Sequence, residues 1–582
     1  MKPRSAPLAC LVALVSLGAC SLGGLLSPPI NSFESALEHL ERDLLPTIKV
    51  ANPDSTLGSG RQRALPPLAE SLPSAEAFPL SGADPQRPAS AELLRLEIVS
   101  SAEKADPHRP DRRWLVLVAE HFNQRQERLA SGRRIEVVIR TIPSGLAAQM
   151  LAAGKLRPAG YSPASEQWLA LLQQQGLRTD RIHQGLVANT TVIALQPKVL
   201  RDQGLSAAPD FAAVVDQALA GRLRIGYSNP YTSSAGLDFL HTLLWLSAGH
   251  GRDLRPLTLS ELQSGAVQGS FGVFQQQIAT TAPTYIELAE AWKRNPDRFD
   301  AVVMAHQSYV RLQREPGFAD LVAVPFGSPQ DSPLAAFAWT TPEQRQALTR
   351  FAAFASSPPM QALARQWGYG ASPPVPPQAR PPRAVGEVLS QAQRQWKRRK
   401  DGGRTVYLQM VIDSSGSMNE ERRLEQVKQA VAQAATAINP GNHVGLISFS
   451  DRPIRHLPLQ PFDGPGHQRL LAAVDGLRAD GPTALFDGLA VAMADLMQAR
   501  RTDPDGRFVL LLLSDGQCTT GLELAELEPV IRHSGISLIP IAYGDPELGD
   551  LKALAAIRET TVQKGKPQLI QPLIHDLLQT NL

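Results

Sequence analysis

An apolar run that ends abruptly in acidic and hydroxyl side chains is the feature that most restricts how this chain folds. Residues 406–412 form a β-favouring run that is apolar except for Gln409, and Asp413, Ser415 and Ser417 follow it. A fully apolar run over 508–513 ends in the same way, at Ser514 and Asp515. Runs that are apolar on both faces are typical of parallel strands covered by helices on each side. With further strands predicted over 443–449 and 536–543 and helices between them, residues 404–582 are predicted to form a doubly wound α/β domain.

Polar side chains collect at the ends of these predicted strands, where ligands bind in open α/β sheets. Asp413, Ser415 and Ser417 follow the first strand, Asp515 follows the long apolar strand, and Thr483 opens a helix. These three separated elements, in this order, resemble the von Willebrand factor type A (VWA) family and its metal-ion-dependent adhesion site. The resemblance covers about residues 404–582 and implies a Rossmann-like fold.

The resemblance implies a divalent-cation site with a defined ligand set. Ser415 and Ser417 would bind the ion directly, Thr483 would bind it directly in one state, and Asp413 and Asp515 would act largely through water. Mg²⁺, with Mn²⁺ or Ca²⁺ as alternatives, is the expected ion, because Mg²⁺ prefers six oxygen ligands and retains water. Few directly bound carboxylates leave the ion under-neutralised, so an envelope protein with an acidic group is the expected partner. The alternative is structural, with the serines capping a helix and Asp515 forming a turn.

A second strand-and-helix pattern occupies residues 91–370. Strands are predicted near 94–99, 135–140, 187–195, 224–227, 301–304 and 321–326, and the sequence NPYTSSAG (229–236) follows the fourth of them. This order resembles the type II periplasmic solute-binding proteins. The resemblance implies two α/β lobes joined by crossover strands, with a ligand in the cleft at the hinge.

A small, possibly anionic, ligand of that cleft would meet hydroxyl groups and helix N-termini, which attract negative charge. The candidate lining residues are hydroxyl side chains at predicted element ends: Ser100, Ser101, Ser144, Ser233, Ser234 and Tyr309. For each of them, helix capping or turn formation is the alternative role. Residues 155–160 form a weak strand where solute-binding proteins often place a good one. Ligand binding altered or lost, with the fold kept for protein recognition, therefore stays open.

The N-terminus predicts export and lipidation. Lys2 and Arg4 precede a short apolar stretch over 8–17, and Leu17-Gly18-Ala19-Cys20 follows it. A run this short is typical of a secretory signal rather than of a transmembrane helix. The stretch resembles a bacterial lipobox, which implies cleavage before Cys20, acylation of its thiol and a membrane anchor; an ordinary cleaved signal is the alternative. Ser21 at the next position favours the outer membrane, facing the periplasm, if the organism is Gram-negative.

The remaining segments are predicted to connect these parts. Residues 21–90 are predicted to be a stalk, partly helical over 31–48 and rich in Pro, Ser, Ala and Gly from about 51. Residues 371–403 are predicted to be a proline-rich linker followed by a helix that packs on a domain through one apolar stripe. That stripe consists of Val385, Val388, Leu389, Ala392 and Trp396. The basic run 397–400 is predicted to be a solvated helix end.

Composition and motifs narrow the class of function. A formal net charge of +3 over 582 residues argues against a nucleic-acid partner. Motifs of serine hydrolases, zinc proteases and P-loop NTPases do not occur in the sequence, so the chain is predicted not to be an enzyme. Cys518 is interpreted as an unpaired thiol without a role. Two hypotheses remain, a metal-dependent binding and adhesion protein and a solute sensor or transport accessory.

Overall fold

The computed structural model describes residues 30–52, 72–84, 90–107, 109, 112–370, 373–544, 548–558, 560, 562–565 and 569–581. The predicted signal peptide and the lipidation site Cys20 lie outside the described residues. Among the residues described, no helix combines the length and apolar character needed to cross a bilayer. The prediction of an α/β protein with a two-lobed domain followed by a doubly wound domain is confirmed.

The first lobe is built on a six-stranded mixed sheet with the order β1-β3-β2-β4-β11-β5. Its strands are β1 (Leu80–Ser81), β2 (Leu93–Ser100), β3 (Arg134–Thr141), β4 (Gly160–Ser162), β5 (Thr179–His183) and β11 (Leu334–Phe337). Its helices are α2 (Ala102–Ala105), α3 (Trp114–Gln124), α4 (Ser144–Ala152), α5 (Gln167–Gln174), α14 (Pro342–Ala355) and α15 (Pro358–Gln366). The strand that is weak in the sequence, β4, is present but only three residues long, and it pairs with β2 and β11.

The second lobe is built on a five-stranded sheet with the order β10-β6-β9-β7-β8. Its strands are β6 (Thr191–Leu195), β7 (Ile225–Ser228), β8 (Ile278–Ala282), β9 (Ala301–Ala305) and β10 (Val322–Phe326). Its helices are α6 (Pro197–Asp202), α7 (Phe211–Leu219), α8 (Ser234–Ser247), α9 (His250–Asp253), α10 (Leu259–Gln263), α11 (Gly265–Gln276), α12 (Tyr285–Arg294) and α13 (His306–Leu312). The chain passes between the lobes twice, from β5 to β6 and from β10 to β11, which makes these two connections the hinge.

The linker helix α16 (Gly386–Arg399) lies across both lobes, because it contacts α5 of the first lobe and α8 of the second. The predicted apolar stripe is buried at Val388, Leu389, Ala392 and Trp396, whereas Val385 is 64% exposed. The indole Nε1–H of Trp396 donates to the hydroxyl of Tyr227 at 2.6 Å. Since this helix joins the lobes, the linker is part of the packed domain.

The prediction that residues 397–400 form a solvated helix end is wrong at both lysines. The Lys400 ammonium is buried and donates to both carboxylate oxygens of Asp401 at 3.0 Å. The Lys397 ammonium donates to the backbone carbonyl of Gln579 at 2.9 Å. A charged group enters a packed interface when partners of this kind replace its water shell, and a basic run alone does not reveal such partners.

The C-terminal domain has a six-stranded sheet with the order β14-β13-β12-β15-β16-β17. Its strands are β12 (Val406–Asp413), β13 (His443–Phe449), β14 (Pro453–Pro461), β15 (Arg507–Ser514), β16 (Ser537–Tyr543) and β17 (Gln563–Gly565). Its helices are α17 (Arg423–Ala434), α18 (Gly464–Asp475), α19 (Leu485–Thr502), α20 (Leu524–His533), α21 (Gly549–Ile557) and α22 (Ile570–Asn581). All pairings are parallel except that of the edge strand β14 with β13, and sequence analysis missed this strand.

Two parts of the predicted stalk are packed on the folded domains. A helix begins at Phe33 (α1, Phe33–His39) and continues as a π-helical turn (Leu40–Leu44) and then a 3₁₀ turn (Leu45–Thr47). This segment buries Leu37, Leu40 and Leu44 in the core of the C-terminal domain. Strand β1 pairs antiparallel with β3 of the first lobe. The structure thus differs from the prediction of a free stalk, because apolar side chains spaced along 33–48 find an apolar surface more than 400 residues away in the sequence.

Candidate functional site

The carboxyl end of β12 places Asp413 at the centre of the sheet, with its side chain fully buried. Its Oδ1 accepts from the backbone N–H of Ser415 at 2.9 Å, and its Oδ2 accepts from the Ser514 hydroxyl at 2.6 Å. Burial raises the pKa of this carboxyl above its usual value, and the hydrogen bonds partly offset that effect. The Ser415 N–H and the Ser514 hydroxyl thus fix the orientation of the Asp413 carboxyl and tie it to the loop after β12 and to the end of β15.

Three hydroxyl and carboxylate oxygens meet above Asp413. Ser415 Oγ lies 3.0 Å from Ser417 Oγ, and the Ser417 hydroxyl donates to Asp515 Oδ1 at 2.7 Å. In an octahedral Mg²⁺ shell with bonds of 2.0–2.1 Å, adjacent oxygens are about 2.9 Å apart. The spacing of the two serine hydroxyls therefore fits adjacent ligands of a small hard cation, with the Asp515 carboxylate hydrogen-bonded beside them. Among the described residues, no three His, Cys, Asp or Glu side chains lie close enough together to hold a metal ion by themselves. A cation at this site would therefore depend on hydroxyl ligands.

Thr483 lies in the loop before α19, which is hydrogen-bonded to the loop after β12. The Gly416 N–H donates to the Gly481 carbonyl at 2.9 Å, which fastens the loop before α19 to the loop after β12. Thr483 is buried, its N–H donates to Thr519 Oγ1, and its carbonyl accepts from the Thr519 N–H, both at 2.9 Å. The structure thus brings all five sequence-predicted metal residues to neighbouring loops at one edge of the sheet. Their role as ligands stays a prediction.

Arg423 is a residue of this site that sequence analysis missed. It is the first residue of α17, and its Nη1 lies 2.9 Å from Asp515 Oδ2. The first turn of a helix normally favours acidic side chains, because the helix dipole is positive there. Two consecutive arginines, Arg422 and Arg423, at that position are the signal that could have pointed to a nearby buried carboxylate.

Cys518 lies in the loop after β15 and is partly buried. Its N–H donates to Asp550 Oδ2 at 2.8 Å, and its Sγ lies 3.2 Å from the Thr520 carbonyl oxygen. Both contacts lie in the loop that follows Asp515, and the contact with Asp550 is made by the backbone and does not depend on the thiol.

The cleft between the lobes of the first domain is closed. A cavity of about 10 Å³ remains at the interface of the lobes, which is about the room that one water needs. Ser101 and Ser234 of the predicted set line it, together with Lys104, Asn189, Thr191 and Ser332.

The other predicted cleft residues are engaged elsewhere. The Ser100 hydroxyl donates to the Ser162 carbonyl at 3.2 Å, and Tyr309 OH donates to the Leu321 carbonyl at 2.6 Å. Ser144 Oγ accepts from the Ala164 N–H at 3.4 Å, and Ser233 caps α8. The structure does not bring these four residues to the lining of the cavity, and a role for them in ligand binding stays a prediction.

The two lobes contact each other directly across the closed cleft. The Trp168 Nε1–H of the first lobe donates to Ser234 Oγ of the second at 2.7 Å, and the Gly145 N–H donates to the Thr232 carbonyl at 3.3 Å. A Cβ added at Gly145 would collide with the Tyr231 carbonyl oxygen, so only glycine permits this approach. The groups expected to hold an anion are already hydrogen-bonded to protein.

Two buried charged groups of the first domain were also missed in the sequence. The Lys104 ammonium beside the cavity donates to Ser101 Oγ at 3.1 Å and to the Ser162 carbonyl at 3.0 Å, and burial lowers its pKa to about 8. Asp238 at the hinge accepts from the Thr191 hydroxyl at 2.6 Å and from Gln167 Nε2 of the first lobe at 3.3 Å. Burial raises the pKa of Asp238 to about 7.

Comparisons with known proteins assign both domains. Residues 112–370 match the family model described as bacterial extracellular solute-binding protein, and residues 408–571 match the model of the von Willebrand factor type A domain. A UPF0353 protein of Mycolicibacterium paratuberculosis (strain ATCC BAA-968 / K-10) is 33% identical over 117 residues, which are 19% of this chain. The match spans 34% of that relative's length.

Solved structures resemble the two parts separately. A von Willebrand factor type A protein from Catenulispora acidiphila is 23% identical, with 30% of this chain and 42% of that chain covered and a TM-score of 0.28. The sulfate-binding protein SubI from Mycobacterium tuberculosis H37Rv is 15% identical, with 47% and 86% covered and a TM-score of 0.34. A periplasmic thiamin binding protein is 13% identical, with 53% and 98% covered and a TM-score of 0.37. By its two family-model matches, the chain joins a domain of the bacterial extracellular solute-binding protein family to a C-terminal von Willebrand factor type A domain.

Proposed function

We propose that this chain is a lipid-anchored binding protein of the bacterial cell envelope that uses a divalent cation in its VWA domain to bind an acidic group of a partner protein. The proposal rests on the 3.0 Å between the Ser415 and Ser417 hydroxyl oxygens, which is close to the separation of adjacent ligands in a Mg²⁺ shell, and on the Asp515 carboxylate that accepts from Ser417 at 2.7 Å. Ser415 and Ser417 would hold Mg²⁺ directly, with Thr483 added in one state and Asp413 and Asp515 acting through water. Mg²⁺ held mainly by neutral hydroxyls keeps most of its charge and attracts a carboxylate. The proposed role is binding, without catalysis.

Calorimetric titration of Mg²⁺ and Mn²⁺ into the purified full chain in detergent tests the cation site. We expect saturable binding by the parent and none by the Ser415→Ala, Ser417→Ala double variant. Ser414→Ala is the matched control, because the Ser414 hydroxyl in the same loop donates to the Phe449 carbonyl instead. Equal binding by the parent and the double variant would contradict the proposal.

The proposed anchor is the acylated thiol of Cys20. Two or three acyl chains hold a protein firmly, since each buried CH₂ contributes about 0.8 kcal/mol. We expect metabolic labelling with a clickable palmitate in a bacterial host to mark the parent and not Cys20→Ser, and the variant to leave the membrane fraction. Labelling of the variant equal to that of the parent would remove the anchor from the proposal.

The alternative, a solute sensor or transport accessory, requires a ligand in the first domain. In the closed cleft the cavity of about 10 Å³ has room for about one water, so a solute would bind only if the lobes moved apart, whereas the protein-binding hypothesis needs no such movement. Thermal unfolding with sulfate, phosphate and molybdate separates the two. No shift in Tm is expected, whereas a saturable rise in Tm that Ser234→Ala removes would favour the sensor.

A further inference from the structure

The guanidinium of Arg423 lies directly against the aspartate of the candidate cation site. Its Nη1 is 2.9 Å from Asp515 Oδ2, the Asp515 side chain has no exposed surface, and that of Arg423 is 13% exposed. The other oxygen of the same carboxylate, Oδ1, accepts from the Ser417 hydroxyl at 2.7 Å. Asp515 is therefore shared between a proposed cation ligand and a permanent positive charge of the chain.

The surrounding backbone is shaped to place this arginine. Glu421 and Arg422, which precede it, have φ values of +48° and +57°, a conformation that costs free energy for residues other than glycine. On the opposite side, Gly544 has a φ of +81°, and a Cβ there would lie 2.9 Å from Arg423 Nε and 3.0 Å from Cζ. The two residues with left-handed backbone conformation before Arg423 and the glycine beside its side chain thus leave space for the guanidinium.

Arg423 also makes the candidate cation site less negative than its two aspartates alone would make it. Asp413 and Asp515 supply two negative charges at the end of the sheet. Arg423 compensates that of Asp515 at 2.9 Å, and its Nη2 also pairs with the exposed Glu420 at 3.2 Å. A cation that binds beside this pair is repelled by the guanidinium and gains less from Asp515, because Coulomb interactions over a few ångströms are strong where water is largely excluded. After the cation has bound, the same guanidinium adds positive potential for an incoming carboxylate.

We propose that Arg423 is a specificity-determining residue of the VWA site: it lowers the affinity of the free site for a divalent cation and makes the binding of cation and acidic partner cooperative. This inference rests on the proposed cation site. Its consequence is a site that fills mainly when the acidic partner is present, which makes the partner's carboxylate part of a complete site.

Calorimetric titration of Mg²⁺ into the full chain, with and without a saturating tri-glutamate peptide, tests the inference. We expect Arg423→Gln and Arg423→Met to bind Mg²⁺ about tenfold more tightly than the parent in the absence of peptide. We also expect the gain in Mg²⁺ affinity that the peptide produces in the parent to shrink in both variants. Arg423→Lys keeps the charge and is expected to stay near the parent. Arg422→Gln is the matched control. It removes the same charge one residue away, from a side chain that is exposed.

The outcomes separate the two proposals. Mg²⁺ binding by the parent with unchanged or weaker binding by both Arg423 variants would overturn the role of Arg423 and leave the cation site standing. Equal tightening by Arg422→Gln would also overturn it, since general charge would then be the cause. Binding only by the Arg423 variants would support the inference. No binding by any chain, with circular dichroism showing folded protein, would refute the cation site and the inference together.

Discussion

The hydroxyl of Ser514 holds the buried carboxylate of Asp413 through a 2.6 Å hydrogen bond to its Oδ2. Asp413 has no exposed surface, so losing this donor leaves a buried charged oxygen short of one partner. Hydrogen bonds to charged groups contribute about 1.5–3 kcal/mol to stability. The residue therefore stabilises the site without itself being a proposed ligand.

We predict that Ser514→Ala lowers the free energy of unfolding by about 1–3 kcal/mol and weakens Mg²⁺ binding, because Asp413 loses a fixed orientation. Urea unfolding followed by circular dichroism and calorimetric titration measure the two effects. Thr436→Ala serves as the control, since that hydroxyl is exposed and bonds only the Gln433 carbonyl of the preceding turn. A stability of Ser514→Ala equal to that of the control would show that Asp413 does not depend on Ser514.

Among the secondary-structure elements, most strands and helices of the VWA domain are predictable from the sequence. Apolar runs, and the polar residues that end them, are local signals. The edge strand β14 (Pro453–Pro461) escapes them: it begins and ends in proline, and its side chains alternate without a clear apolar face. Proline is tolerated at an edge, where one side of the strand has no ladder to complete. The helix near residues 31–48 is predictable from its period, but its docking surface is not, since nothing local specifies a partner so far along the chain.

The candidate cation residues are predictable from strand ends, whereas the charges that act on them are not. Arg423, Lys104 and Asp238 are each defined by contacts between segments distant in sequence. In the first domain the same limit applies to the serines. Their positions at element ends are predictable, yet whether a hydroxyl faces a ligand or a neighbouring carbonyl depends on how closely the two lobes approach.

The N-terminal helix gives a test at this scale. We predict that Leu40→Ala lowers the free energy of unfolding of the VWA domain by about 2–5 kcal/mol, because Leu40 is fully buried in the core of that domain. Val50→Ala, at a residue 40% exposed, should cost far less. Urea unfolding of both variants measures the difference. Equal effects would mean that residues 33–48 do not pack on the domain in solution.

At the scale of the whole molecule, the C-terminal helix α22 (Ile570–Asn581) connects the two domains. It packs on α17 (Arg423–Ala434), the helix that carries Arg423, and it also contacts β8 of the second lobe. Asn229, directly after β7, donates through Nδ2 to Gln579 Oε1 and Thr580 Oγ1, both at 3.1 Å. The end of the VWA domain thus bonds to the loop before α8, beside the closed cleft.

This interface contains two carboxyls whose ionisation opposes docking. Burial raises the pKa of Asp576 to about 7, and burial together with the charge of Asp576 raises the pKa of Glu287 to about 7. In the unfolded chain both titrate near 4. Below that pH both states are protonated. As pH rises from about 4 to about 7, the unfolded state releases its protons first, so stability falls through this window and then levels off.

We predict that a Glu287→Gln, Asp576→Asn double variant loses part of this decline and has a higher Tm than the parent at pH 7.5, with little difference at pH 4. Thermal unfolding across this range measures the effect as the difference between the two chains. Glu290→Gln, on the same helix but paired with Lys293 near the surface, is the control. Parallel pH profiles for parent and double variant would show that the two carboxyls are solvated in the folded protein.

Mn²⁺ anomalous diffraction from crystals of the chain tests whether Ser415 and Ser417, beside Asp515, form a cation site at the carboxyl end of the VWA sheet. We expect one anomalous peak within about 2.0–2.3 Å of Ser415 Oγ and Ser417 Oγ, close to Asp515. An absence of any peak there at saturating Mn²⁺, with the hydroxyls still hydrogen-bonded to each other and to Asp515, would contradict it.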